Sequence, residues 1–327
     1  MKRLATLSLV LLLAWLSGAA FAQFEPSRTE CIAPADPGGG WDFTCRIPGA
    51  QIMSSLGLIP GTMQVTNIPG AGGGIAFANV VSQREGDNNL IVAGSTATAT
   101  RLAQNVYSGF TADNVRWLGA VGADYGIIAV AADSPYQDLQ GLVEAMQNTP
   151  GEITFAGGSA TGGWDHLKVL LLAQAAGIEA LQEVRYIAFD GGGAALVELV
   201  GGRVTAFTGD ASEILSQVEA GNVRVLGILG PERIDALSDV PTAQEAGYEV
   251  DGTNWRAFYG PAGMSDEAYT FWVDAVRQVA NSEEWATLRE QNGLSAFSSF
   301  GDEFTTFVNE QVASIQTISE QLGLIQE

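Results

Sequence analysis

Apolar residues in this chain come in short bursts. Most bursts close on a cluster of glycines, and many clusters lead into a run with helical spacing. Glu30–Ala35 reads as a strand, Pro37-Gly38-Gly39-Gly40 as a turn, and Trp41–Leu56 as a helix that loses regularity near Pro48. Met63–Asn67 is a second strand, Pro69–Gly74 turns into an Ala-rich helix reaching Val81, and Leu90–Ala93 is a third strand ending at Gly94-Ser95-Thr96. The scheme then repeats. Val115–Val121 and Gly126–Ala132 are strand-like, Leu139–Gln147 is helical, and Ile153–Ala156 leads through Gly157–Gly163 into a helix over Trp164–Ala176. Val184–Phe189, Val204–Thr208 and Val223–Leu229 are strands, separated by helices over Ala194–Val200 and from Asp210 to Ala220. Trp255–Tyr259 is one more strand. Asp266–Ala280, Glu283–Gln291 and Asp302–Leu322 carry amphipathic helical patterns. Strands alternating with helices through short glycine loops predict an α/β protein whose sheets are mainly parallel and flanked by helices.

The first stretch has its own pattern. Lys2 and Arg3 precede an apolar run from Leu4 to Leu16, followed by Gly18-Ala19-Ala20-Phe21-Ala22. This is the form of a secretory signal peptide over 1–22, cleaved after Ala22, and the run is short for a membrane anchor. The roughly 300 residues beyond it exceed a single small core and fit two lobes. Tail helices that pack back on the first lobe make that lobe discontinuous: 23–122 plus 230–327, with 123–229 as the second.

Charge narrows the partners. The first 22 residues hold two of the 15 Lys and Arg and none of the 37 Asp and Glu, so the remainder carries −24. Nucleic acid and anionic membrane are excluded as main partners. An anionic ligand would need a local field that overrides the global one. Cys31 and Cys45, both in the exported part, form an expected disulfide. Two cysteines and the single histidine, His166, cannot fill a structural zinc site, and no cofactor motif is present.

Six turns share the glycine-rich character: Gly38–Gly40, Gly70–Gly74, Gly94–Thr96, Gly157–Gly163, Gly191–Gly193 and Gly209-Asp210. Backbone N–H groups at a helix start lack partners and carry the positive end of the dipole, and glycine lets an anion approach them. In open parallel sheets such turns gather beyond the carboxyl ends of the strands. Taken singly, each turn is also explained by chain reversal alone. Gly70-Ala71-Gly72-Gly73-Gly74 misses the dinucleotide-binding spacing, and no lysine follows a glycine run as a P-loop requires. A hydrolase triad would have to use His166, but Gly157-Gly158-Ser159-Ala160-Thr161 is not a nucleophile elbow.

At these turns the sequence resembles the receptors of tripartite tricarboxylate transporters. The resemblance lies in Ala33-Pro34-Ala35-Asp36-Pro37-Gly38-Gly39-Gly40-Trp41-Asp42, in Asn67-Ile68-Pro69-Gly70-Ala71-Gly72-Gly73, and in Gly157-Gly158-Ser159. It continues through Tyr186–Gly193, Ala194-Ala195-Leu196 and Gly209-Asp210 to Asp239–Gly247. Cys31, Cys45 and Trp41-Asp42-Phe43-Thr44-Cys45-Arg46 look closest to the citrate receptors among them. The resemblance implies a two-lobed periplasmic binding protein with two crossing hinge strands. Its expected partners are a small carboxylate and membrane permease subunits, and it is itself expected to be a monomer with no enzymatic activity. By position, Gly38, Gly39, Trp41, Gly72, Ser95 and Thr96 would line the first-lobe side, and Ser159, Thr161, Gly163, Phe189 and Asp210 the second. Relatives carry a Ser-His pair after the Gly-Ser turn; here Gly162-Gly163-Trp164-Asp165 precede His166.

Several residues admit two roles. Asp42 suits a helix start, where it satisfies local N–H groups. Trp41 either walls the ligand or packs. Asp210 either holds a ligand hydroxyl or a water, or caps the next helix. Arg256, and with it Arg101, is a candidate counter-charge for a third ligand carboxylate or a partner in an ion pair between lobes. The function expected is capture of a citrate-like di- or tricarboxylate by hinge closure. A secreted hydrolase, and a sensor subunit presenting its ligand to a membrane histidine kinase, are the alternatives.

Overall fold

The computed structural model describes residues 24–107 and 109–325, so the expected signal peptide lies outside the described residues. Three short parallel strands start the first lobe: β1 (Glu30–Ala33), β2 (Gln64–Asn67) and β3 (Leu90–Ser95), in the order β2-β1-β3. Every residue of β3 is buried, because helices cover both faces of the sheet. The alternation is plain in the core. Cys31, Ala33, Ile91 and Ala93 point into one apolar cluster, while Ile32, Leu90 and Val92 point into another on the opposite face.

The strands expected at 115–121 and 126–132 are one strand, β4, spanning Val115–Ala131. Its first part, through Tyr125, pairs antiparallel with a late strand; its second part, from Gly126, pairs with second-lobe strands. The second lobe holds β5 (Thr154–Gly157), β6 (Arg185–Ala188), β7 (Ala206–Asp210) and β8 (Val223–Leu229). β7, β5 and β6 are parallel, and both β7 and β8 run antiparallel to β4. The late strand, β9 (Thr253–Pro261), lies between β3 and β4, antiparallel to both. The chain therefore passes between lobes inside β4 and again between β8 and β9. A two-residue strand, β10 (Leu294–Ser295), edges β4.

The first helix confirms the disruption at Pro48. α1 (Gly40–Thr44) gives way to wide π-helical turns over Cys45–Ile52 and then to α2 (Met53–Ser55). Proline has no N–H to donate and crowds the carbonyl four residues back, so the turn around it widens. Cys31 and Cys45 are bonded, which ties this helix to β1. α3 (Gly74–Gln83) and α4 (Thr96–Ala103) follow β2 and β3. In the second lobe α5 (Leu139–Asn148), α6 (Trp164–Ala175), α7 (Gly192–Val200) and α8 (Ala211–Glu219) cover the sheet. Here too alternate β4 residues serve opposite clusters, Ile128 and Val130 on one face, Ile127 and Ala129 on the other.

The tail helices α9 (Asp266–Ala280), α10 (Glu283–Gln291) and α11 (Gly301–Gln321) return to the first lobe. Trp272, Val276 and Trp285 join the cluster around Cys31, while Phe304, Val308 and Ile315 join the one around Ile32. No helix among the described residues is long and apolar enough to cross a membrane.

Candidate functional site

The glycine turns converge between the lobes, at the carboxyl ends of β1, β2, β3, β5, β6 and β7, as parallel strands require. Including its solvent-open part, the cleft holds about 590 Å³. Of the residues expected to line it, Gly39, Trp41, Gly72 and Ser95 come from the first lobe and Ser159, Gly163 and Asp210 from the second. Arg256, on β9, lies at the floor with Asn254.

Gly38, Thr96, Thr161 and Phe189 lie off the lining, each with a local reason. Gly38 is exposed, and its N–H donates to Asp42 Oδ2 at 3.0 Å. Thr96 Oγ1 accepts from the Trp255 N–H at 3.1 Å and donates to Thr253 O at 3.2 Å, fastening α4 to β9. Thr161 offers its carbonyl to Arg101 Nη1 at 3.2 Å. Phe189 packs at the edge of the cluster around Ile127. Asp42 accepts from Gly38, Arg46 and Asn67 and turns away from the cleft.

Ser95 and Trp41 hold one another. Ser95 Oγ accepts from Trp41 Nε1 at 3.0 Å and from the Ala97 N–H at 3.2 Å, so it caps α4 and orients the indole together. On the opposite wall Ser159 Oγ accepts from the Asp165 N–H at 2.8 Å. His166 Nδ1 accepts from the Gly162 N–H at 3.0 Å, and its ring stacks on Tyr186 at 4.7 Å. Burial pushes this imidazole down to about 4, so His166 is neutral and shapes the turn.

The floor is an ion network that the sequence does not announce. Lys168 is fully buried, and its Nζ meets Gly209 O at 2.7 Å and Asp165 Oδ1 and Asp210 Oδ1 at 2.8 Å each, one acceptor for each ammonium hydrogen. Arg256 Nη2 donates to Asp124 Oδ2 at 2.6 Å and Asp210 Oδ2 at 2.8 Å. Burial alone would raise the Asp210 carboxyl, but Lys168 and Arg256 outweigh it and hold it below its ordinary value. Asp124, Asp165, Lys168, Glu213 and Asn254 were not among the expected site residues. Two of these, Lys168 and Glu213, left a signal in the sequence; Asp124, Asp165 and Asn254 left none. Lys168 is the only lysine after Lys2 and stands in an apolar helix. Asp210 and Glu213 have the spacing of a capping box.

That capping box has a second use. Glu213 Oε2 accepts from the Asp210 N–H at 3.2 Å, while its Oε1 accepts from the Gly40 N–H of the first lobe at 3.1 Å. Three glycines make room: a Cβ on Gly192 or Gly209 would fall within 3 Å of the Glu213 carboxylate, and one on Gly40 would meet Arg256. Burial, then the charges of Asp210 and Asp165, push the Glu213 carboxyl up to about 8. Other contacts also cross the cleft. The Asp36 N–H donates to Asp190 O at 3.0 Å, and Gln104 Nε2 donates to Gly162 O at 2.7 Å. The lobes are closed on one another.

Arg101 differs from the other two cations. It is 8 % exposed and lines the cleft, yet it makes no ion pair among the described residues. Nη1 is held by Gln104 Oε1 at 2.9 Å and by Thr161 O, and Nε finds no acceptor among the described residues. Trp164 Nε1, Arg256 Nε and Asn254 Oδ1, on other residues of the lining, are likewise buried and unpartnered.

Two lobes of helix-flanked sheet joined through β4 and the β8–β9 segment, closed over a polar cleft, define a solute-binding receptor of the periplasmic binding protein class. Within that class the chain belongs to the tripartite tricarboxylate transporter family of receptors, whose family model matches residues 55–324. This is a non-enzymatic receptor family. Protein BugT of Bordetella pertussis is 24 % identical, over 98 % of each chain. Two solved structures from Rhodopseudomonas palustris share the fold. MatC with bound malate has a TM-score of 0.77 at 20 % identity, covering 89 % of this chain and 98 % of that one. A protein with adipate has a TM-score of 0.81 at 21 % identity, covering 90 % and 97 %.

Proposed function

We propose that this chain is a periplasmic receptor that closes 23–122 plus 230–327 and 123–229 around a small carboxylate and delivers it to the permease of a tripartite transporter. The observation that carries this reading is Arg101, a buried guanidinium on the cleft wall with no carboxylate beside it among the described residues. A buried charge without a partner is costly, and a ligand anion supplies the missing one. The protein's overall charge of −22 repels anions, so the attraction has to be local. The malate and adipate held by two proteins of the same fold are carboxylates of the right class. Citrate is the ligand that the sequence resemblance suggests.

Thermal melts of the protein with citrate, malate, adipate and a range of monocarboxylates test the reading. A ligand that binds only the folded form at 100 times its Kd adds about 2.7 kcal/mol and raises Tm. At least one carboxylate should do so. No shift with any of them would overturn the proposal.

A further inference from the structure

Two of the unpartnered donors meet where α4 of the first lobe faces α6 of the second. Arg101 is on α4, one turn beyond Ala97, and both line the cleft. Its Nε lies beside Gly72 of the first lobe, where a Cβ would come within 3.4 Å of it and 3.2 Å of Ala160 in the second. Its Nη1 donates to Thr161 O at 3.2 Å. Three residues on, Trp164 opens α6 and lines the same cleft. Trp164 is 6 % exposed, and its ring joins the first-lobe cluster that holds Ala99 and Leu102 of α4.

The turn that carries Trp164 is fastened on both sides. Gly162 has a φ of +79°, a left-handed conformation that suits glycine. Its N–H donates to His166 Nδ1 at 3.0 Å, the Gly163 N–H to Ala160 O at 2.7 Å and the Asp165 N–H to Ser159 Oγ at 2.8 Å. Gln104 Nε2 grips Gly162 O from the first lobe. Trp164 is thus held in place without a ligand, yet its indole N–H has no acceptor among the described residues. A ring needs no N–H to fill a core, and a buried indole usually finds a partner for it.

The unpartnered atoms fall into two kinds. On β9 they are one donor, Arg256 Nε, and one acceptor, Asn254 Oδ1. Beside α4 both are donors, Arg101 Nε and Trp164 Nε1, and the first belongs to a full charge. Burial holds the Arg101 guanidinium below its ordinary value, as expected of a cation with no carboxylate beside it. A water or hydroxyl accepts from two donors but leaves that charge uncompensated. A carboxylate offers an oxygen to each donor and compensates the charge as well.

Resting on the carboxylate-receptor reading above, we infer that Trp164 is a second ligand-binding residue, whose indole N–H joins Arg101 Nε in holding the two oxygens of one ligand carboxylate from opposite lobes. The clamp forms only in the closed protein, so the carboxylate itself ties α4 to α6.

Calorimetric titration of wild type, Trp164→Phe, Arg101→Gln and the double variant with malate, adipate and citrate tests this. Trp164→Phe keeps an aromatic ring and removes the N–H. It should bind at least about tenfold weaker, ~1.4 kcal/mol, with the ligand-free Tm held. In the Arg101→Gln background the same change should cost less than about threefold, because the carboxylate is no longer clamped. Benzothienylalanine at position 164, an isostere of tryptophan with sulfur in place of the N–H, should reproduce the tenfold loss, and it decides alone should Trp164→Phe not fold. Unchanged affinity in the isostere, or a full tenfold loss in the Arg101→Gln background, overturns the inference and leaves the carboxylate receptor standing. Absence of binding of every acid by wild type overturns both.

Discussion

Glu213, in the first turn of α8 in the second lobe, accepts a hydrogen bond from the backbone N–H of Gly40 at the start of α1 in the first, at 3.1 Å. One side chain thus caps its own helix and bridges the cleft. This dual placement makes the closed form sensitive to the charge on a single carboxyl, and it supplies the clearest dependence on pH.

Folded, Glu213 titrates at about 8, against an ordinary value of 4.5. Asp210, Asp165 and Asp124 surround it and raise it, Arg256 opposes them, and Lys168 is paired with Asp165 and Asp210. Between those values the folded protein holds a proton that the unfolded chain releases, so stability falls as pH rises through the interval. His166 runs the other way below 6.5, where the unfolded chain gains a proton that the buried imidazole takes up only near 4. From pH 6.5 to 8 the His166 contribution fades, and Glu213, with Asp124, whose carboxyl burial also raises, sets the slope. Urea unfolding across that range should show stability declining by up to ~1.4 kcal/mol per pH unit in wild type, and a flatter profile in Glu213→Gln. Parallel profiles would contradict the placement.

Lys168 anchors the floor. Lys168→Met removes the ammonium that Asp165 and Asp210 share, leaving Asp165 without a cation and Asp210 with Arg256 alone. Breaking a buried pair from one side costs about 3–5 kcal/mol. Denaturant melts should show a loss of that order. A change below about 0.5 kcal/mol, typical of a surface substitution, would mean that the network carries no net stabilisation.

Gly40 reports on closure. A Cβ there would lie 2.0 Å from Arg256 Nη1, whose guanidinium is pinned by Asp124 and Asp210. Both residues belong to the first lobe, but the guanidinium that the methyl displaces also holds Asp210 of the second, so Gly40→Ala weakens a link between the lobes. Gly40→Ala is expected to keep its far-UV spectrum, to show a larger radius of gyration by solution scattering, and to lose at least about tenfold in ligand affinity. Unchanged scattering and affinity would show that Arg256 yields freely.

Much of this was legible in the sequence, for identifiable reasons. The alternation of Cys31, Ile32 and Ala33, and of Leu90 to Ala93, sets strand faces locally, so the order of strands and glycine turns follows from neighbouring residues. The break at Pro48 is likewise local chemistry. β4 was not legible as one strand, because Gly122-Ala123-Asp124-Tyr125 has weak strand character and is held extended by β9, 130 residues on in the chain. The cleft residues divide the same way. Gly39, Trp41, Gly72 and Ser159 belong to turns that advertise themselves. Asp124, Lys168 and Glu213 belong to helices and strands, and only tertiary packing brings them together. Arg101 and Arg256 were indistinguishable as cations in the sequence; their partners, or the lack of them, separate the two roles.

Arg101 is where the account is tested most directly. If its unpaired guanidinium serves a ligand anion, the empty protein bears the cost of an uncompensated buried charge. Arg101→Gln, measured by calorimetry with the tightest carboxylate and by thermal melts without ligand, should lose at least about thirtyfold in affinity, ~2 kcal/mol, while the ligand-free Tm holds or rises. Retained affinity together with a lowered ligand-free Tm would make Arg101 a structural residue and contradict the assignment of the cleft.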